Sequence, residues 1–322
     1  MAELPSRAWV AAITRLSPEK HLEPPPDWDE AVQFLSRHGL ASIAAYNLQY
    51  RMPEAEVPPD VRDFLLGYLQ GTVTDNLLKL MTLRQIAPRF GACPFVLLDA
   101  VAFADTLYPH ISFRAVPEIR LLVRPEDRDA IVAALAEEDF VEMEGEEPDP
   151  DRPAATLYND RFYLKLYTRL LPRGGEEGLL ARAIPAITYG PSSFRLQAED
   201  ALLVHVVSLA RRAFRVPRIY FVDLRELVRG DSSVLLAPGG PGAPIDPEVV
   251  KARARALGVQ NALWAAMEIL AGYHPEVGER ARALSPEIPA PMRALLERAV
   301  VQTADRERMM RGAARVLRLL FE

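Results

Sequence analysis

Glu118 and Arg120 are the two residues whose types and spacing most directly suggest chemistry. They flank Ile119 at the head of the apolar run Ile119-Arg-Leu-Leu-Val123. A strand places positions i and i+2 on one face, so the two side chains share a side. A carboxylate there can hold a cation. A guanidinium cannot bind a metal, but it offers a planar fork of donors to a phosphate or carboxylate. The pair also reads as a surface ion pair on an edge strand, worth about 0–1 kcal/mol. Lys165 lies between Tyr163 and Tyr167 and reads as a solvated strand residue whose stem covers the rings. Asp99 and Asp105 read as helix N-terminal and surface acids respectively. His205 lies among Leu202, Val206 and Leu209 at helical spacing and reads as a packed helix histidine, not a general base. His21, His38 and His110 have no ligand spacing and His274 stands alone before Pro275, so zinc is not expected.

Three further features carry charge or reactivity. Cys93, the only cysteine, precedes Pro94 and reads as a buried structural thiol; a disulfide within the chain is impossible. Glu142, Glu144, Glu146, Glu147, Asp149 and Asp151, broken by prolines, read as a solvated loop, without the spacing and glycine of a calcium loop. Arg308, Arg311, Arg315 and Arg318 fall on one helix face, which reads as a solvated outer face or as a dock for an acidic partner.

The elements that must position these residues follow from periodicity. The first 90 residues read as helices: Trp9, Val10, Ile13 and Leu16 give one apolar face, Asp27–Arg37 opens on acidic residues, and Val61–Arg89 is long and periodic. Phe95–Leu98, Ile119–Val123 and Phe162–Tyr167 read as strands, with a helix over Glu126–Glu138. Helices resume over Ala198–Phe214, Arg218–Arg229 and from about Pro247, after a Gly/Pro-rich connection. The expected class is α+β, a small mixed sheet flanked by many helices. The expected division is 1–90 helical, 91–195 α/β and 196–322 helical.

Composition agrees with such a chain. Its 322 residues are 49% hydrophobic and 25% charged, which suffices for a sizeable core. The net charge of −6 gives no global field favouring nucleic acid. No apolar run approaches the roughly 20 residues of a membrane span, and the N-terminus lacks a signal-peptide pattern, so a cytoplasmic location is expected.

Phe95-Val-Leu-Leu-Asp-Ala-Val-Ala-Phe-Ala-Asp-Thr-Leu-Tyr-Pro109, then Arg114-Ala-Val-Pro-Glu-Ile-Arg-Leu-Leu-Val123, then Leu196-Gln-Ala-Glu-Asp-Ala-Leu-Leu-Val-His205 and Ile219-Tyr-Phe-Val-Asp-Leu-Arg-Glu-Leu-Val228 stand in order along the chain. Together they resemble the bacterial nucleotidyltransferase-like family of the polymerase-β superfamily, over roughly residues 30 to 272. That family reads apolar-Leu-Lys-Gly, Leu-Tyr-Pro, Arg, then Asp-apolar-Asp, with a third acid on a later strand. The acids hold two Mg²⁺ ions that neutralise the nucleotide phosphates. Here Lys-Gly has become Asp99-Ala100, Asp-apolar-Asp has become Glu118-Ile119-Arg120, and the third acid has become Lys165. The resemblance therefore implies a nucleotidyltransferase-like fold with a degenerate catalytic motif and no cofactor. Its implied function is binding of a protein partner or an anionic ligand, with Arg120, Lys165, Glu118, Asp99 and Arg114 as the ligand-facing set. The alternative is an active Mg²⁺-dependent nucleotidyltransferase in which Glu118 and another acid, such as Asp99, rebuild the metal site.

Overall fold

A computed structural model describes residues 6–16, 18, 22–25, 27–143, 151–231, 239–300 and 319–321. The arginine face at 308–318, His21 and the acids at 144–149 lie outside the described residues.

The chain opens with α1 (Ser6–Ile13), α2 (Trp28–Arg37), α3 (Ala41–Tyr46) and α4 (Pro59–Ile86). Asp27 caps α2 by accepting from the Glu30 backbone N–H at 3.0 Å, as the acidic start suggests. Pro59 occupies the first turn of α4, where its missing N–H costs nothing. The apolar stripe of α4 is narrower than its sequence implies: Leu65, Leu69, Leu80 and Leu83 are buried, while Phe64, Leu77 and Met81 face outward. Asn76, buried in α4, donates to the Ile111 and Arg114 carbonyls and accepts from the Val116 N–H. One amide thus fixes the loop that feeds the central strand.

The sheet elements follow: β1 (Phe95–Leu97), α5 (Asp99–Phe103), β2 (Ile119–Val123), α6 (Arg128–Ala136), β3 (Val141–Glu142), β4 (Ala155–Tyr158), β5 (Tyr163–Tyr167), α7 (Glu176–Arg182), β6 (Ile184–Pro185) and β7 (Ser193–Arg195). They form one mixed sheet in the order β3-β4-β5-β2-β1-β7-β6, with β2–β5 and β1–β7 parallel and the other pairs antiparallel. β2 is therefore central, and all five of its residues are buried. This overturns the edge-strand reading of Glu118 and Arg120, because strands pair with β2 on both sides. The expected α+β class, mostly helical, is what the structure has.

The chain closes with α8 (Ala198–Arg211), α9 (Ile219–Arg229), α10 (Pro247–Leu257), α11 (Gln260–Tyr273), α12 (Gly278–Leu284) and α13 (Ala290–Ala299). One apolar cluster runs from Trp9 and Ile13 through Val96, Leu121 and Leu166 to Leu263 and Leu284, joining helices and sheet. Among the described residues no helix is long and apolar enough to cross a membrane.

Candidate functional site

A charged group is assembled where β2, β5 and the end of α8 meet. In the parallel pairing of β2 with β5, Arg120 lies opposite Lys165. Glu118, two residues before Arg120, turns to the same side. The structure brings these three together: Lys165 Nζ is 2.9 Å from Glu118 Oε2, and Arg120 Nε is 3.5 Å from Glu118 Oε1. Lys165 is therefore paired, not solvated.

Arg120 is the hub. Its Nη1 pairs with Asp99 and its Nη2 donates to Asp151 Oδ2 at 2.7 Å. Its Nε donates to the Tyr167 hydroxyl at 3.0 Å, and its guanidinium lies 4.5 Å from the centre of that ring. Burial opposes the charge on Arg120, but Asp99, Tyr167 and Asp151 outweigh it and keep the guanidinium protonated. Asp99 is the mirror case. Burial alone would raise its pKa; Arg120 and His205 override this and hold the carboxyl well below the usual carboxylate range. Asp99 also stands in the left-handed region at φ +47°, a conformation that aspartate tolerates better than most residues.

Helix α8 covers the group. His205 is buried, donates from Nε2 to the Tyr220 carbonyl at 2.9 Å, and places Nδ1 3.9 Å from Asp99 Oδ1. Its packing against Phe103 and Tyr220 agrees with a packed helix histidine. Ser208, Arg211 and Arg212 reach Asp151 from the last turn and its cap. Next to Asp99, the side chains of Leu97, Phe103, Leu196 and Val204 leave a void of about 10 Å³, roughly the room one water needs.

Sequence reasoning missed Asp151, Ser208, Arg211 and Arg212. Asp151 reads as the tail of a solvated acidic run, yet it is 3% exposed. Ser208, Arg211 and Arg212 stand at i, i+3 and i+4, so they share a helix face; that spacing was a signal of a polar helix end. Among the described residues, Arg114 approaches the group through Tyr220, whose ring lies 5.1 Å from its guanidinium. Its own ion pair is with Asp223, by Nε at 3.0 and 2.9 Å. Asp105 is not a plain surface acid: it pairs with buried Arg195 at 2.8 Å. Cys93 is half-buried, not buried.

Around Arg120, four cations (Arg120, Lys165, Arg211 and Arg212) meet three carboxylates (Asp99, Glu118 and Asp151) among the described residues. The Mg²⁺ that the resemblance associates with this fold does not fit this donor set. All three carboxylates answer to one guanidinium, and among the described residues no three His, Cys, Asp or Glu side chains are grouped to hold a metal.

The molecule is thus an α+β protein with a mixed sheet whose central strand presents a charged group to a covering helix. The family described as uncharacterised nucleotidyltransferase matches residues 24–275, most of the chain, and the chain belongs to that family. No curated protein matches it.

Proposed function

We propose that this member of the nucleotidyltransferase-like family binds an anionic ligand and does not transfer nucleotides. The single observation that carries this reading is the Arg120 guanidinium, seated among Asp99, Glu118 and Asp151. Nucleotidyl transfer needs divalent cations to neutralise the phosphates. A fixed guanidinium at one intended ligand position removes a ligand and repels such an ion. The alternative, an active site rebuilt from Glu118 and Asp99, requires Asp99 to leave Arg120, which would strand both charges in a buried place.

Cationic side chains gathered on one side of the group would hold an anion without metal. Lys165, Arg211 and Arg212 form its accessible rim, with side chains 15%, 18% and 23% exposed. A protein partner with an acidic surface would use the same rim.

Two measurements test the proposal. Incubation with labelled ATP, GTP, CTP or UTP and Mg²⁺ or Mn²⁺ is expected to give no transfer. Turnover that vanishes in Glu118→Gln would establish the transferase instead. Calorimetry with phosphate in EDTA is expected to show weak binding that falls as salt rises and is lost in Lys165→Met. Heats that appear only when Mg²⁺ is added would overturn the metal-free reading.

A further inference from the structure

A cleft of about 490 Å³ lies away from the Arg120 group, between N-terminal and C-terminal helices. α1 gives it Val10, α2 gives Phe34, α9 gives Val222 and α11 gives Ile269, with Leu40 from the turn between α2 and α3. Its walls are therefore mostly apolar. Its volume falls in the range of roughly 300–1,000 Å³ that small-molecule sites occupy. None of the acids and bases around Arg120 lines it.

Two residues of α11 set this cleft apart from a packing defect. Glu268 and Gly272 stand one turn apart, so they share a helix face, and both line the cleft. A Cβ added to Gly272 would meet nothing within 4 Å, and its φ is not in the left-handed region. Neither close packing nor backbone conformation asks for glycine there, and glycine within a helix costs stability relative to alanine. What it does is keep the wall open. Glu268 is half-buried in these apolar surroundings, yet none of the described residues gives its carboxylate a hydrogen bond or a counter-ion. A partly desolvated carboxylate without a partner is costly, and a cation relieves that cost.

The other polar groups of the cleft are engaged or neutral. The Arg218 guanidinium lies 3.7 Å from the centre of the Tyr273 ring. His274 is 7% exposed, its Nδ1 stands 3.4 Å from Glu276 Oε1, and burial lowers its pKa, which keeps the ring neutral at pH 7. The carboxylate beside Nδ1 favours the proton on that nitrogen, so Nε2 keeps its lone pair as an acceptor.

We infer that the cleft bounded by Glu268, Gly272 and His274 binds a small organic amine, its ammonium on the Glu268 carboxylate and its apolar body against Val10, Phe34 and Ile269. An ammonium carries three donors, enough for the carboxylate and for His274 Nε2. This site is separate from the Arg120 group, so it neither rests on the anion-binding reading nor supports it.

The test is calorimetry at low salt with phenylbutylamine, phenylbutanol and phenylbutyrate, which share one apolar body and differ in the head group. The proteins are the wild type, Glu268→Gln and Gly272→Leu, with urea unfolding to verify the fold. Ala11→Leu fills the cleft from α1 and serves where Gly272→Leu does not fold. The expected result has three parts. The amine binds the wild type at least tenfold tighter than the alcohol, Glu268→Gln brings the two within about twofold, and filling the cleft abolishes both. Equal binding of amine and alcohol, tighter binding of the carboxylate, or an amine advantage that survives Glu268→Gln overturns the inference. Amine binding that survives a filled cleft places the ligand elsewhere and overturns it too, as does a wild type that takes up no amine.

Discussion

Arg120 lives in a buried place only because each end of its guanidinium meets a partner: Asp99 and Asp151 at the terminal nitrogens, Tyr167 at Nε. Breaking a buried pair by removing one partner leaves a charge without compensation, which costs about 3–5 kcal/mol. Arg120→Met, which keeps the apolar bulk, is therefore expected to lower stability by about that amount. Glu118→Gln is expected to cost about 1 kcal/mol, because its contact with Arg120 is long and its closer pair with Lys165 is partly exposed to water. A double-mutant cycle of Arg120→Met with Asp99→Asn, read by urea unfolding, should return a coupling of about 1–3 kcal/mol. Additive losses would show that the Arg120–Asp99 pair does not hold this group together. The meeting of Glu118, Arg120 and Lys165 was legible, because strand period and motif order place them. Asp151 was not. Its partners lie 31 and about 60 residues away along the chain, and an acidic run carries no periodicity that marks one member as buried.

Between elements, a buried polar tie joins the loop before β2 to α9. Asp223, fully buried in α9, accepts from Arg114 Nε at 3.0 and 2.9 Å and from the Tyr108 hydroxyl at 2.6 Å. This gives a physical role to two motifs that the family resemblance rests on, Leu107-Tyr108-Pro109 with Arg114 and the Asp223 helix: they clamp β2's entry to the C-terminal helices. Burial would lower the Arg114 pKa, but Asp223 raises it above its ordinary value, so the guanidinium stays charged. Asp223→Asn is expected to cost about 3–5 kcal/mol by stranding Arg114. Tyr108→Phe should cost only about 1–3 kcal/mol, the worth of a hydrogen bond to a charged acceptor. Urea midpoints that show the two variants equally damaged would deny Arg114 its role in the clamp. The long helices could be read from period, the strands Phe95–Leu98 and Ile119–Val123 from their short apolar runs, and Phe162–Tyr167 from alternation. β3 and β6 could not, since two residues carry no alternation; their pairing with β4 and β7 defines them.

Across the whole molecule, buried ionic groups make stability depend on pH with more than one sign. Burial lowers the His274 pKa from 6.5, with Arg225 and Arg218 adding to the fall and Glu276 opposing it. Its unfolded form then binds a proton more readily than its folded form, so stability drops as pH falls below about 6.5. Glu276, lowered to about 2 by His274 at 3.4 Å against the effect of burial, and Asp99, lowered by Arg120 against the same effect, stabilise the fold above their unfolded values of 4.5 and 3.8. That contribution is lost as pH falls from those values toward their folded pKa values. Asp105 works the other way: burial raises its carboxyl above 3.8 despite Arg195, so its protonation favours the fold in acid. One raised carboxyl against two lowered ones leaves the acid limb destabilising. Urea midpoints from pH 8 to 3 are therefore expected to fall in two stages, a shallow one beginning near pH 6.5 and a steeper one below about pH 4.5. His274→Gln is expected to remove the first stage, because a neutral amide cannot take up a proton there, and to shrink the second to the part that Asp99 carries, because Glu276 loses the partner that lowers its pKa. A first stage that persists in His274→Gln would assign it to another group and sink this account of His274.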